Sequence, residues 1–182
     1  MQHQIPTVQD SLLMVIDVQN RLMPVIHDAL KTIQNIQTLI TGAGILGIST
    51  LVTEQYPKGL GNTISDLDFN EDTTIIEKNA FSCMIDEKIK SHLLEVNKHH
   101  LILCGVESHI CVLKTALNAV EQGYTVHVVA DAVSSRAPEN KILALERLRQ
   151  SGVYIVSAEM VLFMLMDKSG TDTFKSISKL IK

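Results

Sequence analysis

Short apolar runs alternate along this sequence with stretches of helical periodicity, and this alternation restricts the fold more than any other feature. Each run has the length of one strand, and several are rich in valine and isoleucine, as strands buried on both faces are. The runs cover residues 12–16, 49–53, 74–76, 101–104, 125–130 and 153–156. Because such strands are joined by right-handed crossovers through the helices, they predict a mostly parallel sheet.

The stretches between these runs carry apolar residues at helical spacing. Three stretches are clear and two are weaker, and they cover residues 26–46, 109–122 and 139–150, then 86–96 and 171–182. The third clear stretch begins just after Pro138, a common signal for the start of a helix. We therefore predict an α/β fold with one doubly wound, six-stranded parallel sheet in the order 3-2-1-4-5-6 and helices on both faces.

The chain has the size and composition of one globular domain. Its 182 residues suffice to bury a core, and 46% of them are hydrophobic while 20% are charged. No internal repeat, low-complexity tract or linker rich in proline and glycine interrupts the pattern. We expect a single domain over residues 1–182, with its core at about residues 12–163 and a helical tail at residues 164–182.

Charge and hydropathy argue against several classes of partner. A net charge of -4 does not favour binding to nucleic acid, which depends on clustered lysine and arginine. The apolar run at residues 12–16 is too short to cross a membrane and has no flanking features of a signal peptide. The 3 cysteines include no C-x-x-C pair and cannot all pair, which is typical of a reducing compartment, so we expect a cytoplasmic protein.

Three chemically active residues follow predicted strands. Asp17 follows the first strand, Lys78 follows the third, and the loop at residues 105–108 leads from the fourth strand into a helix that carries Cys111. In a doubly wound sheet, ligands bind beyond the carboxyl ends of the strands. Because strands one and four are neighbours in the predicted order, we expect these side chains to converge on one cleft.

Each of the three residues also has an ordinary structural explanation. A free cysteine is usually a small core residue, and a lysine after a strand is often solvated. However, Cys111 falls in the first turn of a predicted helix, where free N–H groups and the helix dipole stabilise a thiolate. Asp17 ends a buried strand, where a carboxylate needs a partner such as Lys78. A base, a cation and a thiol at one edge therefore indicate a catalytic group.

Other motifs have structural explanations. Residues 42–47 match G-x-G-x-x-G, but they end a helix instead of opening one, so we interpret them as helix packing and a C-cap at Gly47. The histidines form no H-E-x-x-H or similar pattern, so we expect neither a protein-bound metal nor a cofactor. Cys83 and Cys104 are interpreted as packing residues. Arg136 forms either a loop salt bridge or a contact between subunits.

Four segments resemble the isochorismatase-like cysteine hydrolases. Residues 104–112 resemble the nucleophile loop of the family, residues 16–19 its first catalytic segment and residues 77–82 its lysine segment. Residues 131–136 resemble a fourth stretch of the family. The resemblance extends from about residue 12 to about residue 163. It implies a six-stranded parallel sheet and a catalytic triad of Asp17, Lys78 and Cys111.

The resemblance also narrows the substrate class. Siderophore-type isochorismatases lack the nucleophilic cysteine, which makes isochorismate a poor candidate. Nicotinamidases carry an Asp and His metal segment after strand two, whereas residues 53–61 here read T-E-Q-Y-P-K-G-L-G, without a histidine. This stretch is most similar to the isochorismatase-domain-containing proteins of poorly defined substrate. The resemblance therefore implies a cysteine-dependent hydrolase that cleaves a small amide or related carbonyl substrate through a thioester.

The same mechanism needs an oxyanion site and a pocket. A helix start and its preceding turn present free donors, so the backbone N–H groups of Glu107 and Cys111 are expected to hold the oxyanion. By family analogy, the peptide bond between Val106 and Glu107 is cis. Five side chains are candidates for the pocket wall: Gln19, Gln55, Tyr56, Phe81 and His109.

We also expect a homo-oligomer, because members of this family usually are and because the apolar segment at residues 160–166 offers more hydrophobic surface than one helix needs. Two other functions stay open. One is a catalytically idle module of the same fold that binds or assembles with partners. The other is a thiol redox protein, although no resolving cysteine lies near Cys111 in the sequence.

Overall fold

Six strands form a single parallel sheet in the order β3-β2-β1-β4-β5-β6, as predicted. The structure is a computed structural model and describes residues 5–182. Its strands are β1 (Ser11–Ile16), β2 (Thr50–Gln55), β3 (Thr74–Lys78), β4 (His100–Val106), β5 (Thr125–Ser134) and β6 (Tyr154–Val156). Every pair of neighbouring strands runs in parallel. All six predicted strands are therefore present.

Helices cover both faces of the sheet, because side chains of a strand alternate between its two faces. The helices are α1 (Ala29–Leu46), α2 (Pro57–Leu60), α3 (Glu87–Val96), α4 (Leu113–Glu121), α5 (Pro138–Gln150), α6 (Ala158–Met164) and α7 (Asp172–Leu180). In β1, Leu13 and Val15 join one buried cluster with residues of α1, α6 and α7. Leu12 and Met14 join a second cluster with residues of α3, α4 and α5. The sheet thus lies between two apolar layers.

Two helices differ from the predicted bounds. The helix expected from residue 26 begins at Ala29, because Met23–Val25 forms a 3-10 turn with a proline and Asp28 adopts a left-handed conformation with a φ of 51°. The helix expected over residues 109–122 is divided into a π-helical turn, Ser108–Val112, and the regular helix α4. Cys111 therefore lies in the π-helical turn and not in the first turn of an α-helix.

Glycines control two close approaches in the fold. At the end of α1, Gly47 has a φ of 73° and caps the helix, and a Cβ on Gly42 would lie 2.5 Å from the side chain of Leu162. This confirms the packing and capping explanation of the glycine motif. Gly105 in β4 has a φ of 110°, and a Cβ there would lie 2.1 Å from the carbonyl oxygen of Ile16. Only glycine allows β4 to approach β1 this closely.

The C-terminal helices pack on the sheet by part of their surface. Val161 and Leu162 of α6 and Ile177 of α7 are buried in the same cluster as α1. Met160 and Phe163 of α6 stay exposed. Within residues 5–182, no helix has both the length and the apolar character needed to span a lipid bilayer.

Candidate active site

Asp17, Lys78 and Cys111 meet at the carboxyl edge of the sheet, where the ends of β1 and β3 face the π-helical turn. The Lys78 Nζ atom lies 2.7 Å from Asp17 Oδ2, and the side chains of both residues are fully buried. Cys111 is 7% exposed, and its side chain lies close enough to the Asp17 carboxylate for each group to shift the pKa of the other. The structure thus brings together the three residues that the sequence singled out.

Asp17 is fixed by its own backbone and by β2. It follows β1 directly in a left-handed conformation with a φ of 54°, which aspartate tolerates better than most residues. Its N–H donates to the Thr53 carbonyl oxygen at 3.1 Å, and the Thr53 hydroxyl donates to Asp17 Oδ1 at 2.8 Å. The carboxylate is therefore held by strand β2 as well as by Lys78.

The Lys78 ammonium group donates to three acceptors. They are Asp17 Oδ2 at 2.7 Å, Gln55 Oε1 at 2.7 Å and the Ala80 carbonyl oxygen at 3.2 Å. The carbonyl oxygens of Gln55 and Ala80 can only accept, so both contacts need an N–H donor on Lys78. Burial acts to lower the pKa of Lys78, but the negative charge of Asp17 raises it above its usual value. Lys78 is therefore a fixed cation.

The Cys111 side chain rests as a thiol. Burial raises the pKa of Cys111 far above its ordinary value, the Asp17 carboxylate raises it further, and Lys78 only partly offsets them. The expectation of a thiolate stabilised by a helix dipole is therefore wrong for the resting protein. The physical reason is burial next to an anion, and the π-helical turn supplies no regular helix start at this residue.

Asp17 is suited to accept the thiol proton. Burial raises the pKa of its carboxyl group above the ordinary value, while Lys78 and the hydrogen bonds from Cys111 and Thr53 act to lower it. A carboxylate with a raised pKa is a stronger base than an ordinary one. Because the thiol lies beside this carboxylate, Asp17 is placed to receive its proton.

The loop between β4 and the π-helical turn begins with a cis peptide bond between Val106 and Glu107. The Glu107 side chain is directed to Arg136, whose backbone N–H and Nε donate to Oε2 at 3.0 and 3.1 Å. The Glu107 carbonyl oxygen accepts from the N–H groups of Ile110 and Val112. Arg136 thus makes the loop salt bridge that was one of its two predicted roles.

Two of the candidate pocket residues brace the site instead of facing a cleft. Gln19 is fully buried, and its Nε2 donates to the carbonyl oxygens of Gln55 and Gly61 while its Oε1 accepts from the Gln55 N–H. Gln55 accepts from Lys78 through its side-chain oxygen. An amide with no exposed surface cannot line a pocket, so Gln19 supports the wall from behind.

The other three candidates lie nearer to solvent. Tyr56 and Phe81 are exposed by 54% and 53%. The His109 ring is partly buried, and its Nδ1 lies 2.9 Å from Ser135 Oγ at the end of β5. These three residues are therefore more accessible to solvent than the buried triad.

A cavity of about 620 Å³ opens beside Lys78, at the edge strand β3. It is lined by the turn after β2, by the end of β3 and by the start of α3, including Tyr56, Asn79 and Ile85. Neither Asp17 nor Cys111 lines it. This cavity is therefore a neighbouring groove and not a chamber above the thiol.

Two further residues of the site were not predicted. Thr53 holds Asp17, as described above, and its place at the carboxyl end of β2 is a signal that a search of all strand ends would have found. Cys83 is fully buried with its Sγ 4.0 Å from Thr53 Oγ1, and burial raises its pKa to about 11. It is a packing residue, as predicted, but one next to the site. No motif in the sequence indicates this position.

The carboxylate of Glu54, near the end of β2, is fully used by hydrogen bonds to the loop that follows the strand. Glu54 Oε1 accepts from the N–H and the hydroxyl of Thr63 at 2.6 and 2.8 Å, and its Oε2 accepts from Asn62 Nδ2 at 3.1 Å. Across the part of the chain that the structure describes, no group of three histidine, cysteine or acidic side chains is placed to bind a metal ion. The Glu54 side chain thus stabilises the loop that contains Asn62 and Thr63.

Comparison with known proteins places the chain among related sequences and folds. The family model "Isochorismatase domain" matches residues 11–160. The secreted isochorismatase effector Isc1 of Phytophthora sojae is 40% identical over 178 residues, which cover 94% of this chain and 84% of that protein. Isochorismatase domain-containing protein 2 of Danio rerio is 39% identical over 176 residues, which cover 96% of this chain and 88% of that protein.

A solved structure agrees with these relatives. The MAR1 ribonuclease of Caenorhabditis elegans superposes with a TM-score of 0.91 at 37% identity, covering 97% of this chain and 91% of that chain. The likeness thus extends over nearly the whole described fold.

Proposed function

Because the chain belongs to the isochorismatase family and has its hydrolase fold, we propose that it is a cysteine-dependent hydrolase of small amides or related carbonyl compounds. One observation carries this proposal: the Cys111 thiol lies beside a buried carboxylate, Asp17, that is itself paired with Lys78. A nucleophile, its base and a cation that fixes the base are the parts that covalent hydrolysis requires.

The reaction proceeds in two halves. Asp17 accepts the proton of the Cys111 thiol while the sulfur attacks the carbonyl carbon of the substrate, giving a tetrahedral oxyanion. The oxyanion collapses to a thioester, and the protonated Asp17 gives its proton to the leaving amine or alcohol. Asp17 then takes a proton from water, whose oxygen attacks the thioester and releases the acid. The sulfur leaves as the thiol when Asp17 returns the proton.

Lys78 acts on Asp17 and not on the substrate. Its three N–H groups are already used by Asp17, Gln55 and Ala80, so none is left for an oxyanion. This supports our assignment of the oxyanion site to the backbone N–H groups of Glu107 and Cys111. Tyr56, Phe81 and His109 are proposed to contact the remainder of the substrate.

The relative from Caenorhabditis elegans is named a ribonuclease, which makes RNA the competing class of substrate. Two observations favour a small carbonyl compound for this chain. The net charge is -4, which opposes binding of a phosphate backbone. The Cys111 side chain is only 7% exposed, so a large polymer has little access to the sulfur. We propose no nucleic acid or membrane partner.

The test is a screen of small amides, ureides and esters, with ammonia or acid release as the signal and RNA as a parallel substrate. We expect turnover of a small carbonyl compound and an acyl adduct on Cys111 in acid-quenched samples. Cys111→Ala and Asp17→Asn should each lower turnover at least about a thousandfold. The double variant should be scarcely slower than the slower single variant, because the residues act as one unit.

Cys104→Ala is the matched control, since Cys104 is a fully buried cysteine in β4, and it should keep its turnover. An adduct on another cysteine, or wild-type turnover by Cys111→Ala, would overturn the nucleophile assignment. Absence of turnover together with slow iodoacetamide labelling of Cys111 would favour the idle binding module. A stable disulfide after peroxide treatment would favour the redox protein.

A further inference from the structure

Strand β2 supplies two side chains to the buried ion pair. Thr53 and Gln55 are two residues apart, so they project from the same face of the strand. The Thr53 hydroxyl donates to the carboxylate of the pair, and the Gln55 oxygen accepts from the ammonium group. One strand therefore holds both members of the Asp17–Lys78 pair. Each side chain from β2 binds a group that the ion pair itself does not use.

The orientation of the Gln55 amide is determined by its other contacts. Its Nε2 donates to the Asn79 carbonyl oxygen at 2.8 Å, which directs Oε1 to Lys78. If the amide turned over, its NH₂ group would face an ammonium group and its oxygen would face a carbonyl oxygen, and both hydrogen bonds would be lost. Gln55 can therefore act on Lys78 only as an acceptor.

The backbone of Gln55 is held as firmly as its side chain. Gln19 Oε1 accepts from the Gln55 N–H at 2.8 Å, and Gln19 Nε2 donates to the Gln55 carbonyl oxygen at 3.0 Å. The buried Gln19 amide thus pairs with both backbone groups of Gln55 on the β1 side of β2, beyond the last ladder pair there, Ile16 with Thr53. As a result, the Gln55 oxygen is presented to Lys78 from a rigid support.

We propose that Gln55 is a positioning residue: its side-chain oxygen holds the Lys78 ammonium group against Asp17 and thereby sets the proton affinity of Asp17. The inference rests on the proposed function, in which Asp17 is the base for Cys111. Gln55 suits this role because it is neutral. It satisfies one N–H of Lys78 without offering a second negative charge that would compete with Asp17 for the cation.

Loss of the Gln55 side-chain oxygen should raise the proton affinity of Asp17. Lys78 lowers the proton affinity of Asp17, so a Lys78 that is held less closely lets that affinity rise. Gln55→Met keeps the length of the side chain but has no acceptor. Gln55→Glu keeps an acceptor but adds a negative charge that competes for Lys78 and repels Asp17. Both variants should therefore shift deprotonation of the Asp17–Cys111 pair to higher pH, and the glutamate variant should shift it further.

The experiment measures the rate of Cys111 alkylation by iodoacetamide as a function of pH, with each cysteine followed by peptide mass spectrometry. This readout needs no substrate. The acid limb of the profile reports loss of the first proton from the coupled Asp17–Cys111 pair. We expect the limb of Gln55→Glu to move up by about one pH unit, which is a tenfold slower rate at a fixed pH on the limb. Gln55→Met should move it by less.

Two further variants make the result decisive. Thr53→Val removes a donor to Asp17 and should also move the limb upward, which shows that the limb reports Asp17. Gln150→Glu makes the same charge change at an exposed position of α5 and should leave the profile unchanged. If Thr53→Val moves the limb while both Gln55 variants overlay the wild type, the positioning role is overturned.

A different result would remove the proposed function itself. If no variant, including Thr53→Val, moves the limb, then Asp17 is not the base for Cys111. Thermal melting of each variant accompanies the kinetics, and the two Gln55 substitutions are independent, so loss of folding in one leaves the other to decide.

Discussion

His127 is a fully buried histidine of β5, and its titration is coupled to folding. Its ring stacks between those of His100 and Tyr154, with centroids 5.4 and 5.3 Å away, and its Nε2 lies 3.1 Å from His100 Nδ1. Burial lowers the pKa of His127 to about 4, and the proximity of His100 adds to this effect. The protonated form is thus disfavoured in the folded chain.

We predict that this residue makes the fold less stable in mild acid. As the pH falls, His127 gains its proton in the unfolded chain first, at a pKa near 6.5, so the unfolded state is favoured. The stabilisation is complete above about pH 7 and about 2 kcal/mol of it is lost by about pH 5. Urea unfolding at the two pH values should show this difference.

His127→Phe is the comparison, since it keeps an aromatic ring in the stack but does not titrate. The pH dependence of the free energy of unfolding is compared between variant and wild type, because Asp17 changes that free energy in the opposite direction in both proteins. Its raised pKa makes the folded chain bind a proton more readily in acid. An equal pH dependence in both proteins would show that His127 is not the source.

Among the connecting elements, the turn from β4 into the nucleophile loop depends on one glycine. Gly105 has both a φ of 110° and no space for a Cβ beside the Ile16 carbonyl oxygen. We predict that Gly105→Ala destabilises the fold by more than about 3 kcal/mol, or prevents folding, as measured by urea unfolding. The backbone of β1 or β4 would have to move.

Gly123→Ala is the matched control for this change. Gly123 has a φ of 90° but nothing within 4 Å of an added Cβ. Alanine at this position would therefore have backbone strain without a steric clash. Its cost should be about 1 kcal/mol. If the two variants lost the same stability, the contact with Ile16 would not be the cause.

The elements also show which parts of the site could be foreseen. Asp17 and Lys78 were predictable because strand order and strand ends follow from hydrophobic patterning, and a parallel sheet gathers its carboxyl ends at one edge. The roles of Gln19 and Gln55 were not, because patterning does not reveal which hydrogen bonds a side chain makes. The thiol state of Cys111 was likewise hidden, since it depends on burial and on a π-helical turn that has no sequence signature.

At the scale of the whole molecule, we predict association of identical chains. Met160 and Phe163 of α6 are exposed by 52% and 40%, although their neighbours Val161 and Leu162 are buried. Light scattering at micromolar concentration should return a multiple of the 20.1 kDa chain mass. A mass of a single chain would contradict this, and Met160→Glu should reduce the mass that light scattering returns.

The cytoplasmic location expected from the sequence stays a prediction for the whole molecule. The relative from Phytophthora sojae is named a secreted protein, so fractionation of cells with an antibody to this chain is the direct test.

The position of β1 in the middle of the sheet, between β2 and β4, affects how the chain acquires its site during synthesis on the ribosome. Asp17, Thr53, Gln55 and Lys78 are all translated before β4, the strand that covers one edge of β1 in the finished sheet. Cys111 is translated after β4 and after Gly105. A ribosome-bound fragment that ends before β4 therefore contains both members of the ion pair but not the thiol.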